Sequence, residues 1–140
     1  MKNGIKKALA MLLATATLTA CFVLSAYAVT GTTYSDNFNT TSSVTLSTHN
    51  YGYKDIKMRV DALWSNNGNQ KFKLYLYTKS GSSYVSQGYC LCNTSTSGGE
   101  YTWYNANTNA VLPKPARFIV SKTSENTAEI GGTIVSWSQE

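Results

Sequence analysis

Between Gln70 and Cys92 the chain reads QKFKLYLYTKSGSSYVSQGYCLC, alternating with a period of two. Phe72, Leu74 and Leu76 fall on one face, while Lys71, Lys73, Tyr75 and Tyr77 fall on the other. That is the pattern of a half-buried antiparallel strand. Ser80-Gly81-Ser82 supplies a turn into a second strand over Tyr84 to Cys92. Asp55 to Trp64 repeats the alternation, with Ile56, Met58, Val60, Ala62 and Trp64 on one side and Lys57, Arg59 and Asp61 on the other. A helical period would scatter those charges around a cylinder. Asn66-Asn67-Gly68-Asn69 is the strongest turn signal, because Asn-Gly provides the positive φ angles of a tight hairpin. The pattern predicts a three-strand meander in which 55–64 pairs directly with 70–78.

The flanks extend the same theme. Residues 29–37 are polar and read as a loose lead-in, 38–48 as an edge strand carrying Val44 and Leu46, and His49 to Tyr53 as a turn. Asn93 to Gly99 reads as a flexible loop, and Glu100 to Asn105 as a short aromatic strand. Pro113 and Pro115 lack ladder donors and keep 107–115 out of a central strand. Arg117 to Lys122 alternates again, and Thr127 to Trp137 forms the last strand, with Gly131-Gly132 marking a bulge or bend. About seven short strands with no helix point to an antiparallel β-sandwich, with a small barrel as the alternative.

The first residues change the reading of the whole. Lys2, Lys6 and Lys7 precede the apolar run Ala8 to Leu24, and Ala26-Tyr27-Ala28 is the small-x-small pattern of a signal-peptidase site. This predicts a signal peptide over 1–28 and a single secreted domain over 29–140. Two other readings compete. The run is long enough for an uncleaved membrane anchor, although Thr15, Thr17 and Thr19 dilute it. Leu18-Thr19-Ala20-Cys21 also resembles a lipobox, which would anchor the chain through a lipid on Cys21, but apolar residues continue past that cysteine. Loss of the three leader lysines reduces the formal charge from +5 to +2. So small a balance argues against nucleic acid, which calls for basic residues clustered on one face.

Candidate chemistry is sparse. Cys90 and Cys92 share one face of a strand, about 7 Å apart by the strand rise, which is far for a disulfide without a bulge. The readings are a strained or absent disulfide between Cys90 and Cys92, two small buried side chains, or pairing to another chain. A metal would need further soft or imidazole ligands, and only His49 is on offer, so neither a metal nor a cofactor is expected. A lone turn histidine reads as a surface residue. No Gly-x-Ser-x-Gly elbow is present, and Asp61 reads as a cross-hairpin partner of Lys71 or Lys73.

The aromatic content remains: ten tyrosines and three tryptophans. Tyr75 and Tyr77 lie on the lysine-bearing face, and Tyr101, Trp103 and Tyr104 crowd one segment. Such rings stack on sugars or anchor protein interfaces, while the plainer account has them filling cross-strand pairs. The reading is a non-enzymatic extracellular binding module for glycan, cell-wall polymer or a protein partner. The alternative is a secreted, bacteriocin-like effector acting on target cells, and an enzyme is the weaker third.

Overall fold

The computed structural model describes residues 31–106 and 113–139. The leader, Cys21, the cut after Ala28 and residues 107–112 lie outside the described residues. Eight strands run in order: β1 (Tyr34–Thr40), β2 (Ser43–Tyr51), β3 (Asp55–Ser65), β4 (Lys71–Ser80), β5 (Ser83–Asn93), β6 (Gly99–Trp103), β7 (Lys114–Lys122) and β8 (Ile130–Gln139). They form two four-stranded antiparallel sheets, β1-β8-β3-β6 and β2-β7-β4-β5, here called the first and second sheets. The fold is a β-sandwich.

The core is what the alternation placed inward. Ile56, Met58, Val60, Ile130 and Ile134 of the first sheet face Phe72, Leu74, Leu76, Phe118 and Val120 of the second. All ten are almost fully buried, and burial of one such aliphatic or aromatic side chain contributes about 1.5–3 kcal/mol. The β4–β5 hairpin stands as predicted, with Leu74 opposite Cys90 and Tyr75 opposite Tyr89.

The predicted pairing of β3 with β4 is corrected. β3 pairs with β8 and β6, whereas β4 pairs with β5 and β7. Gly68 does take the positive φ that its turn demands, at 60°, but the turn carries the chain from one sheet to the other. Its polar groups are tied elsewhere. Asn66 N–H donates to the Glu129 carbonyl, Glu129 N–H donates back to Asn66 Oδ1, and buried Gln70 accepts from Ser124 and Asn126 through Oε1. A turn bonded to the β7–β8 loop has no ladder to extend.

Three smaller corrections follow the same logic. The polar lead-in and the single edge strand over 38–48 are two strands, β1 and β2, joined by Thr41-Ser42 across the sheets. The bulge expected at Gly131-Gly132 sits in the partner strand, between Asp61 and Trp64, where Ala62 has a φ of 49°. It turns Trp64 to the outer face, where its ring lies on Gly131. A Cβ there would come within 2.5 Å of the indole, so a larger residue would push the Trp64 ring off the strand. Finally, Asp61 pairs with Arg59 of its own strand, Nη2 to Oδ2 at 2.9 Å, because Lys71 and Lys73 lie in the other sheet.

Candidate functional site

Charge is divided between the sheets. The strands of the second sheet hold Lys71, Lys73, Lys79, Lys114, Arg117 and Lys122, and no aspartate or glutamate. The first sheet holds Asp36, Asp55, Asp61 and Glu100 against Lys57 and Arg59. A small net charge therefore conceals a sheet whose strands carry only basic charges.

Alternation decides which of these groups face solvent. With Phe72, Leu74 and Leu76 inward, Lys71, Lys73, Tyr75, Tyr77 and Lys79 point outward, next to Arg117 and Ile119 of β7 and Tyr89 and Leu91 of β5. Tyr75 lies 5.2 Å from Tyr89 and 6.4 Å from Tyr77, centroid to centroid, with interplanar angles of 51° and 42°. Lys73 Nζ sits 4.4 Å over the Tyr89 ring, a cation–π contact. Tyr84 covers the Arg117 guanidinium at 4.0 Å, and its hydroxyl is 3.3 Å from Thr48 Oγ1. Arg117 Nε is buried with no hydrogen-bond partner among the described residues. Leu91, 61% exposed, adds apolar surface at the edge.

The second predicted aromatic group is split by the sandwich. Trp103 is only 5% exposed and packs 5.6 Å from Phe118, so it is a core residue and presents no face to a ligand. Tyr101 sits edge-on to Trp103 at 4.6 Å and half-exposed, and Tyr104, 76% exposed, lies beyond the end of β6. The three do not form one platform.

Where β1 meets β2, the sandwich is shut by polar groups. Asp36 and His49 face each other between the strands, Oδ2 to Nε2 at 2.7 Å, with Tyr34 stacked on the imidazole at 4.2 Å. The Tyr51 hydroxyl lies 2.6 Å from Ser136 Oγ, and burial pushes that phenol's ionisation well above its ordinary range. His49 and Tyr51, expected in a surface turn, belong to β2. The histidine is half-buried and Tyr51 is fully buried. No polar–apolar pattern announces such a pair, because Asp36 takes the inward position between Tyr34 and Phe38, where alternation expects an apolar residue.

The opposite edge, where β5 faces β6, is open. A cleft of about 200 Å³ enters there, lined by apolar and sulfur-bearing residues, Met58, Val60, Cys90, Cys92 and Tyr101 among them, and by polar ones that include Asn93, Thr96 and Glu100. Both cysteines are free and on the inward face of β5, Sγ to Sγ at 3.7 Å. The bulge of β5 lies opposite the step from Tyr75 to Tyr77, outside the Cys90–Cys92 step, and brings the two no closer. The Cys90 thiol is pushed up, first by its hydrogen bond to Cys92 and then by burial, and the Cys92 thiol is drawn down by the same bond.

No family model and no curated protein matches the chain. A chain from a structure of infectious bursal disease virus, Gt strain, aligns over 76% of this chain and 32% of its own length, at 10% identity and a TM-score of 0.34. This chain thus spans about a third of that neighbour.

Proposed function

We propose that the protein is a secreted, non-enzymatic binding module that holds an anionic extracellular polymer on the outer face of the second sheet. The observation that carries this is the absence of any carboxylate from that sheet, while Lys71, Lys73, Lys79 and Arg117 frame the Tyr75–Tyr77–Tyr89 cluster. The cations supply attraction that tracks a charged backbone, and the rings supply apolar faces for sugar units. The tilt between the rings favours a chain that bends over the surface rather than a flat crystalline lattice. An acidic polysaccharide or a phosphate-bearing cell-wall polymer fits these terms.

The test is retention of the protein on acidic polysaccharide, on phosphate-bearing cell wall and on neutral glucan. The expected result is retention on an anionic polymer that weakens as salt rises, and that Tyr89→Ala and Lys73→Gln each reduce about 10-fold or more. Equal retention on neutral glucan, or no loss in either variant, overturns the proposal. Preferential capture by single-stranded DNA, by a protein or by anionic vesicles would assign the face to another partner and equally end this reading.

A further inference from the structure

The open edge carries chemistry that a polymer-binding face does not use. Three sulfur-bearing residues line one small cleft: Cys90, Cys92 and Met58. The two thiols point the same way because they are two residues apart on a strand, and buried Met58 of β3, in the other sheet, lines the same cleft. The sequence offered His49 as the extra ligand for a metal, but that imidazole is at the opposite edge, engaged with Asp36. The residue that joins the thiols is a methionine.

We infer that Cys90, Cys92 and Met58 form a site for one thiophilic d10 cation of the Cu(I) type, held at the β5–β6 edge of the sandwich. The sulfur spacing supports this. With metal–sulfur bonds of about 2.3 Å, an ion equidistant from two sulfurs 3.7 Å apart subtends an S–M–S angle of about 107°, which needs no movement of the strand. A disulfide needs the same sulfurs at about 2.05 Å. It must also span Cα atoms that the strand rise sets about 6.8 Å apart, the upper end of its usual reach.

Ligand type supplies the selectivity. Among the described residues no three His, Cys, Asp or Glu side chains converge, so the four-ligand site that Zn2+ requires is not built. Thiolate with thioether is the donor set that favours Cu(I). The cleft wall is largely apolar, with Met58, Val60 and Tyr101 on the β3–β6 side, and Asn93, Thr96 and Glu100 add polar groups. With both thiols ionised the site carries one net negative charge, and the soft, weakly hydrated monovalent ion enters such a pocket at a lower dehydration cost than a hard divalent one. Binding changes no oxidation state: the ion stays monovalent, each thiol gives its proton to solvent as its metal–sulfur bond forms, and the thioether adds a neutral lone pair.

The experiment is an anaerobic titration of the reduced chain over residues 29–140 with acetonitrile-stabilised Cu(I) against a chromophoric competing chelator. Proton release and thiol alkylation are followed in parallel. One ion per chain is expected, with up to two protons released and both thiols protected from iodoacetamide. Loss of an outer-shell partner costs a metal site about 10–100-fold in affinity, so Cys92→Ser, at the half-exposed ligand, is expected to lose at least about 100-fold. Met58→Leu, which keeps volume and both thiols, is expected to lose about 10-fold with the protons still released. Stoichiometry below one ion per two chains, unchanged affinity in Cys92→Ser, or a Cys90–Cys92 disulfide that survives mild reductant each overturns the proposal. A Met58→Leu variant that binds as tightly as the parent removes the thioether from the site and overturns its three-sulfur form.

Discussion

The two long edges of the sandwich solve one problem in opposite ways. Each is a place where the outer strand of one sheet must meet the outer strand of the other. At β1 and β2 the link is two residues, Thr41-Ser42, and the seam is closed by Asp36, His49, Tyr34, Tyr51 and Ser136. At β5 and β6 the link is Thr94–Gly98, and the seam stays open as a cleft lined by apolar and sulfur-bearing side chains. A buried polar seam is costly to leave half-satisfied, so it specifies one geometry. An apolar seam tolerates a gap, and a gap is where a ligand fits.

The comparison can be broken most forcefully at Trp103 of β6, which ties that edge strand to the core through its packing on Phe118. Trp103→Ala is expected to cost about 3–5 kcal/mol in denaturant unfolding, and a cost near zero would show that the open edge does not rest on that indole. At the closed edge, Tyr51→Phe strands the buried Ser136 hydroxyl and is expected to cost about 1–3 kcal/mol. Asp36→Ala is expected to cost a similar amount by orphaning His49.

Alkaline pH should sharpen the contrast. The folded state holds the Tyr51 proton more tightly than the unfolded chain, whose phenol ionises near 10.0. That stability is complete below pH 10 and is lost as pH rises beyond it, at about 1.4 kcal/mol per pH unit for one proton. Tyr51→Phe should flatten this slope, which thermal unfolding across pH 9–11 would read directly. The smallest effect belongs to the cleft rim: Cys92→Ser should change stability by less than about 1 kcal/mol, since the side chain is half-exposed and keeps its size. A large loss there would mean that the thiol pair is structural.

Strand identity was legible wherever one face is core and the other polar, as in β3, β4 and β7. Strand partners were not. Alternation tells which way a side chain points but not which strand lies beside it, so the Asn66–Asn69 turn suggested a hairpin that the Asn66–Glu129 bonds replace. Trp103 and Tyr101 occupy equivalent inward positions two residues apart, and only the overlying Phe118 decides that the first is covered and the second reaches the rim. The basic sheet escaped notice because net charge sums over faces. The run of acid-free strands was present in the sequence, but their assembly into one sheet depends on pairings that periodicity does not encode.

The position of β8 has a consequence of its own. It lies between β1 and β3, so the last of the described strands is hydrogen-bonded to the first and holds it to the rest of the first sheet. Until Ile130 to Gln139 is present, β1 has no ladder and β3 has one side bare. A chain emerging N-terminus first from a ribosome therefore cannot complete this sheet before residues 130–139 emerge. It locks in a late step that waits on the C-terminal residues, and the long loop closure this requires slows folding. Removal of residues 130–139 should leave β1 without a ladder and protease-sensitive.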